Sequence, residues 1–232
     1  MLVIAHRGAS ASFPENTAAS FAAAGHQGAD GVELDVRRTL DGRMAVNHSD
    51  TLPDGTVLVE TRFDQLPPPM IDLAHALDVC ASLDVVNIEI KNWPDDRDFD
   101  PTEQLAADVV QLLSARGELD GGRYLVSGFH LPTVDRVHDL APDLATGWLL
   151  GMVEDPARLI IKAAEHQHGA VHPHHVFVNE DFVATAHDAG LAVNTWTCDD
   201  PDRIRWLADI GVDAVVTNVP GVAREALGPG GP

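Results

Sequence analysis

The chain has 232 residues, 45% of them hydrophobic and 5% aromatic, with 36 acids against 15 bases for a formal net charge of −21. The length suits one α/β domain, and the apolar fraction is enough for a packed core, which excludes a disordered chain. So acidic a surface repels nucleic acid and anionic membranes, and neither is an expected partner. Lys91 and Lys162 are the only lysines. The Asp-rich, Lys-poor balance reads first as a solubilising surface and second as adaptation to high salt. Cys80 and Cys198 have no CxxC frame and read as buried hydrophobes in a reducing compartment. Leu2–Ala5 runs straight into His6 and Arg7, too short for a signal peptide, and no apolar run is long enough to span a membrane. The expectation is a soluble cytoplasmic protein, one domain over residues 1–232 with a frayed tail at 228–232. Composition leaves the oligomeric state open.

Eight short apolar runs read as strands: Leu2–Ala5, Gly31–Val36, Val85–Ile90, Tyr124–Val126, Ala145–Leu149, Gly169–His172, Ala192–Trp196 and Asp213–Thr217. A helical stretch follows each one, over Asn16–His26, Ile71–Ser82, Pro101–Arg116, Leu131–Leu140, Pro156–His166, Glu180–Ala189, Pro201–Ile210 and Pro220–Leu227. Asn16 is the expected cap of the first helix, and proline opens several of the others. Regular strand–helix alternation predicts a parallel sheet, and eight repeats predict a closed (β/α)8 TIM barrel, with a doubly wound sheet as runner-up. Asp41–His48 reads as a hairpin arm after the second strand, with a turn at Asp41-Gly42. Pro67-Pro68-Pro69 marks the return to the barrel.

Strand periodicity separates the chemistry from the core. Val32, Leu34 and Val36 share one face of the second strand, and Glu33 and Asp35 the other. Val86, Ile88 and Ile90 oppose Asn87, Glu89 and Lys91 in the third. The apolar faces must meet helices, so Glu33, Asp35, Glu89 and Lys91 point inward or over the mouth. Three carboxylates there need a counter-charge. Lys91 can neutralise one, and a divalent cation with a preference for oxygen would neutralise more. The bland alternative is an internal salt-bridge network without metal. His6-Arg7-Gly8 ends the first strand, where Arg7 offers a fork for phosphate oxygens. His48 ends the arm and can return over the same mouth. Two histidines beside a cation and an arginine suit acid/base cleavage of a phosphodiester. His172 is a candidate pocket wall, and His174 and His175 read as a loop cluster. Trp196 can pack on a substrate's carbon skeleton or simply fill the upper core. His130, His138, His166, His168 and His187 are expected on solvated helix faces.

HRGASASFPENT, GADGVELDVRRTLDGRMAVNH, VNIEIK and VNTWTCDDPDRIRWLADIGVDAVVTNVP together resemble the glycerophosphodiester phosphodiesterase family, over nearly the whole chain. The resemblance implies a TIM barrel that cleaves glycerophosphodiesters to glycerol 3-phosphate and an alcohol. It implies metal ligands at Glu33, Asp35 and Glu89, an acid/base pair at His6 and His48, and phosphate contacts at Arg7 and Lys91. It also implies Mg²⁺ or Ca²⁺, with attack by the glycerol 2-hydroxyl and opening of a cyclic phosphate by water. Three departures stand out. Ser49 follows His48 where the family has Asp, with Asp50 one place later. Asn218 replaces a common Asp and is expected to be structural. Residues 49–69 are short where the family has a small subdomain, so a sparse rim and similar turnover of choline, ethanolamine, glycerol and inositol diesters are expected. Two other readings are a lysophospholipase D or sphingomyelinase-D-like enzyme, which an aromatic mouth would favour, and a catalytically silent binding barrel.

Overall fold

The computed structural model describes residues 1–119, 122–151 and 155–228, and in it all eight expected runs are strands. The strands are β1 (Leu2–His6), β2 (Gly31–Arg38), β3 (Met44–Val46), β4 (Val85–Ile90), β5 (Tyr124–Gly128), β6 (Ala145–Leu150), β7 (Ala170–Pro173), β8 (Ala192–Thr195) and β9 (Ala214–Thr217). The helices are α1 (Ala18–His26), α2 (Leu73–Val79), α3 (Gln104–Ala115), α4 (Leu131–Leu140), α5 (Pro156–Glu165), α6 (Glu180–Asp188), α7 (Pro201–Asp209) and α8 (Pro220–Leu227). Parallel neighbours run β1-β9-β8-β7-β6-β5-β4-β2, and β1 pairs with β2 to close a (β/α)8 barrel. An open, doubly wound sheet is thereby excluded. Among the strands of the described residues β3 alone runs antiparallel, pairing with Val36–Arg38 of β2 as the return of the expected arm.

The barrel closes because each strand gives its apolar face to a ring of helices. Val32, Leu34, Val86 and Ile88 are fully buried in a cluster with Leu77 of α2 and Leu113 of α3. Across the barrel, Val171, Val193 and Val215 pack with Ile160, Phe182, Ile204 and Leu207. Truncating one of the fully buried leucines to alanine would cost about 2–5 kcal/mol. Cys80 and Cys198 are free, buried thiols in these two separate clusters.

Helix starts depart from expectation for local reasons. Thr17, not Asn16, caps α1: its hydroxyl accepts from Ser20 N at 3.2 Å, and Ser20 Oγ accepts from Thr17 N at 3.2 Å. α2 starts later than expected because Ile71 is tied to β3, its carbonyl accepting from Val46 N. The following Asp72 then caps His75 N at 3.0 Å. α3 waits until Gln104 because Glu103 takes a left-handed φ of 57°. Of the expected tail, residues 229–232 lie outside the described residues.

Candidate active site

At the C-terminal ends of β1, β2 and β4, the inward faces bring Glu33, Asp35 and Glu89 together. The three are 3%, 0% and 7% exposed, and one oxygen from each lies within 4.8 Å of the others. Lys91 Nζ pairs with Glu89 Oε1 and lies 2.8 Å from Asp35 Oδ1. Arg7 reaches the same group from the other side, with Nε 3.1 Å from Asp35 Oδ2. Asn16 donates to Asp35 Oδ2 at 2.8 Å. Burial works to raise the Asp35 pKa, but Lys91 and Arg7 outweigh it and hold the carboxyl at about 2. Glu33 and Glu89 are pushed up, first by burial and then, in Glu33, by the neighbouring carboxylates. Glu33 Oε1 is buried and has no hydrogen-bond partner.

That orphaned oxygen tests whether a metal fits. Three carboxylates face two cations, so one negative charge is left over inside a poorly solvated site. A dication held by Glu33, Asp35 and Glu89 would take up the excess and give Glu33 Oε1 a partner. The all-oxygen donor set suits a hard cation. The alternative of a self-contained salt-bridge network balances only by protonating Glu33, the direction in which burial pushes it, and leaves Glu33 Oε1 without a partner.

The backbone around Arg7 is built to this end. Arg7 has a left-handed φ of 56°, which a non-glycine residue adopts at a cost. Its N–H donates to both Glu33 O and Glu33 Oε2 at 3.0 Å. Gly8 follows with φ +80°, and a Cβ there would stand 2.5 Å from the Ser20 carbonyl carbon. Arg7 Nη1 also meets Glu15 at 2.9 and 3.1 Å, so PENT and HRG form one local unit.

His6 and His48 line one cavity of about 150 Å³ with Glu33, Glu89 and Lys91. His6 Nδ1 meets Asn218 Oδ1 at 2.7 Å. Asn218 Nδ2 donates to Asp199 Oδ2 at 2.7 Å, which fixes the amide with its oxygen towards His6. His6 therefore carries its proton on Nδ1 and presents a bare Nε2 to the cavity. Burial, then Arg7, lower its pKa. Asn218, expected to be structural, orients a cavity histidine. His48 is carried by the arm, and its carbonyl accepts from Arg37 Nε at 2.7 Å. Burial and then Lys91 bring the His48 pKa down to about 4. Asp50 does not enter the cavity; it caps the 97 loop, accepting from Arg97 N at 3.0 Å.

His172 is a floor residue. It is 1% exposed, and its Nε2 accepts from Asn194 Nδ2 at 3.0 Å. Gly147 makes room for it, since a Cβ there would lie 2.4 Å from His172 Nε2. Trp196 lies against the cavity, donating from Nε1 to His172 O at 2.7 Å and packing edge-on to Phe129 at 5.5 Å. Phe129 and Leu149 also line a second, apolar cavity of about 390 Å³ with Trp93 and Trp148. The expected sparse rim is thus walled on one side by residues after β4, β5 and within β6. Among the described residues, His174 and His175 join no ligand group. His168, expected on a solvated face, is buried at 4% exposure.

Sequence reasoning misses Asn16, Arg37 and Asn218 as site residues. Only Asn16, inside PENT, carries a signal, and on sequence alone it reads as a helix cap.

The fold is a (β/α)8 barrel with an acidic cluster, two histidines and an arginine gathered at its mouth. The sequence profile of the glycerophosphoryl diester phosphodiesterase family matches residues 6–67 and 57–222, and the chain belongs to that family. It is similar to the glycerophosphodiester phosphodiesterases of Caldanaerobacter subterraneus subsp. tengcongensis, with 27% identity, and of Bacillus altitudinis, with 26%; each match covers 94% of both chains. An Oleispira antarctica phosphodiesterase solved in complex with the product sn-glycerol-3-phosphate superposes with a TM-score of 0.87 at 26% identity, over 98% of this chain and 96% of that one. The chain is accordingly a phosphoric diester hydrolase of the glycerophosphodiester class.

Proposed function

We propose that this enzyme hydrolyses glycerophosphodiesters to glycerol 3-phosphate and an alcohol, dependent on one divalent cation, Mg²⁺ or Ca²⁺, held by Glu33, Asp35 and Glu89. The observation that carries the reading is the orphaned Glu33 Oε1 in a cluster one negative charge in excess, beside two neutral histidines. When bound, the cation supplies charge neutralisation at the phosphoryl oxygens. Arg7 and Lys91 bind the phosphate anion and orient it between the histidines. His6, with Nε2 bare, takes the proton from the attacking hydroxyl. In the order the family resemblance implies, that is the glycerol 2-hydroxyl, and water opens the cyclic phosphate afterwards. His48 gives a proton to the leaving alkoxide. In the free site burial, and after it the Lys91 charge, hold His48 neutral, so to act as the acid it must first take up a proton, which substrate phosphate engaging Lys91 favours. The product bound by the Oleispira relative supports a small-molecule glycerol phosphate ligand here. Buried free thiols at Cys80 and Cys198 support the reducing, cytoplasmic setting, and no described helix is long and apolar enough to cross a membrane.

The test is glycerophosphocholine with and without EDTA, assayed for glycerol 3-phosphate. Release that stops with EDTA and returns with Mg²⁺ or Ca²⁺ is expected; full activity after exhaustive chelation would sink the metal role.

A second reading, cleavage of lysophospholipids at the same site, draws on the apolar cavity of Trp93, Phe129 and Trp148. Aromatic residues are few, yet three of the four tryptophans stand at or beside the mouth. The wall also bears on the broad alcohol range expected from the short 49–69 segment. A panel of choline, ethanolamine, glycerol and inositol diesters with lysophosphatidylcholine separates the readings. A preference of more than about a hundredfold, near 2.7 kcal/mol in the transition state, marks a wall that selects.

A further inference from the structure

At the opposite end of the barrel a second group of ligating side chains converges. Asp135 on α4, His166 at the C-terminal cap of α5 and His168 in the turn into β7 point one atom each at a common space. His166 Nδ1 and His168 Nε2 stand 2.8 and 3.1 Å from the same Asp135 Oδ1. All three atoms lie within 4.8 Å of one another. We propose that Asp135, His166 and His168 form a second metal site, for a zinc-like transition-metal dication, independent of the oxygen-lined cluster at the mouth.

Several observations carry this. The donor set is two imidazole nitrogens and one carboxylate oxygen, which suits zinc rather than Mg²⁺ or Ca²⁺. The spacings are close to the ligand-to-ligand edge of a tetrahedral site with bonds of about 2.0–2.1 Å, roughly 3.3 Å, so small side-chain shifts admit an ion. The far nitrogen of His168, Nδ1, meets the buried Thr146 hydroxyl at 3.0 Å. That is the outer contact by which proteins fix the orientation of a ligating imidazole. Asp135 has no Lys or Arg ion pair among the described residues. The side chains of Asp135 and His166 are 31% and 35% exposed, so the space is open to solvent. His138, one turn along α4 from Asp135, stands edge-on to His168 with ring centroids 6.2 Å apart. Such an ion would tie α4, α5 and the start of β7 together, a structural role remote from the chemistry.

The alternative is a purely hydrogen-bonded cluster, in which each imidazole donates a proton to Asp135. To separate the two, metal-stripped enzyme is saturated with Mg²⁺ or Ca²⁺ to fill the mouth, then titrated with Zn²⁺ against a chromogenic chelator. Wild type should take up one equivalent more than His166→Ala, or bind that equivalent at least about a hundredfold more tightly. His166 is partly exposed, and retained phosphodiester hydrolysis serves as the folding control for the variant. Co²⁺ gives a reading on the wild-type protein itself. Intense visible bands of four-coordinate Co²⁺ are expected, against the weak spectrum of an all-oxygen, six-coordinate site. Equal Zn²⁺ uptake by both proteins, or only the weak Co²⁺ spectrum, overturns the proposal and leaves the hydrogen-bonded cluster.

Discussion

At the scale of single residues, the two cavity histidines are held by different means, and their substitutions should differ accordingly. His6→Ala and His48→Ala should each lower turnover by roughly 10²–10⁴-fold, the usual worth of a positioned acid or base. If the two act in one proton-transfer unit, the double variant should be little worse than either single one. A His48→Ala enzyme with near-normal turnover would remove His48 from the chemistry. His172 has a different consequence, for stability. Burial pushes its pKa down to about 3, so it stays neutral in the fold while an unfolded chain protonates it below about 6.5. Between those values the unfolded state binds the extra proton, so stability rises with pH by about 1.4 kcal/mol per unit from this one group and falls as the solution is acidified. Denaturant unfolding at pH 6.5 and pH 5 should therefore show about 2 kcal/mol more loss in the wild type than in His172→Gln. Equal losses would show that His172 is not the group responsible.

At the scale of elements, the arm is the part that has to be held. Arg37 donates to the His48 carbonyl and pairs with Asp96 at 3.1 Å and Asp98 at 2.6 Å, clamping the arm to the loop after β4. Arg37→Ala should destabilise by about 3–5 kcal/mol, because Asp98 is left buried without its partner. Adding Asp98→Asn should restore much of the denaturant midpoint while leaving turnover low, since His48 is still unanchored. Wild-type turnover in the double variant would mean that the clamp serves the fold alone. The strands themselves were legible because Val32, Leu34 and Val36 alternate with Glu33 and Asp35, a pattern set by the two faces of one strand. Helix starts were less so, since Thr17 or Asn16 can each cap on paper, and only the contact of the Asn16 amide with Asp35 across the barrel mouth leaves the cap to Thr17. The charged cluster at the mouth could be read from strand periodicity. The residues that aim it could not: Asn218 reaches His6 from 212 positions away, through a contact that exists only once β1 and β9 are paired, and Arg37 reaches the His48 carbonyl 11 positions on only through the fold of the arm.

At the scale of the whole molecule, the net charge of −21 acts as a field rather than through pairs. Fifteen bases cannot pair with 36 acids, and three of the bases, Arg7, Arg37 and Lys91, are already committed to buried or partly buried carboxylates. Exposed pairs such as Arg97–Glu60 at 3.0 Å contribute about 0–1 kcal/mol each, and salt weakens them. Self-repulsion among the unpaired carboxylates outweighs these pairs; it opposes the compact state, and salt relieves it. Raising ionic strength from about 0.01 M to about 1 M shortens the Debye length from roughly 30 to 3 Å, enough to screen neighbours on the surface while leaving the buried cluster little changed. The two effects have opposite signs, and the excess of acids decides between them. The melting temperature should rise with NaCl by at least about 4 °C, equivalent to about 1–2 kcal/mol for a chain of this size. The measurement is a thermal melt across NaCl concentrations at pH 7.5 with the divalent cation held constant, so that occupancy of the mouth does not vary with salt. A flat or falling melting temperature would mean that the surface acids are spaced widely enough not to repel, and the high-salt reading of the composition would lose its physical basis.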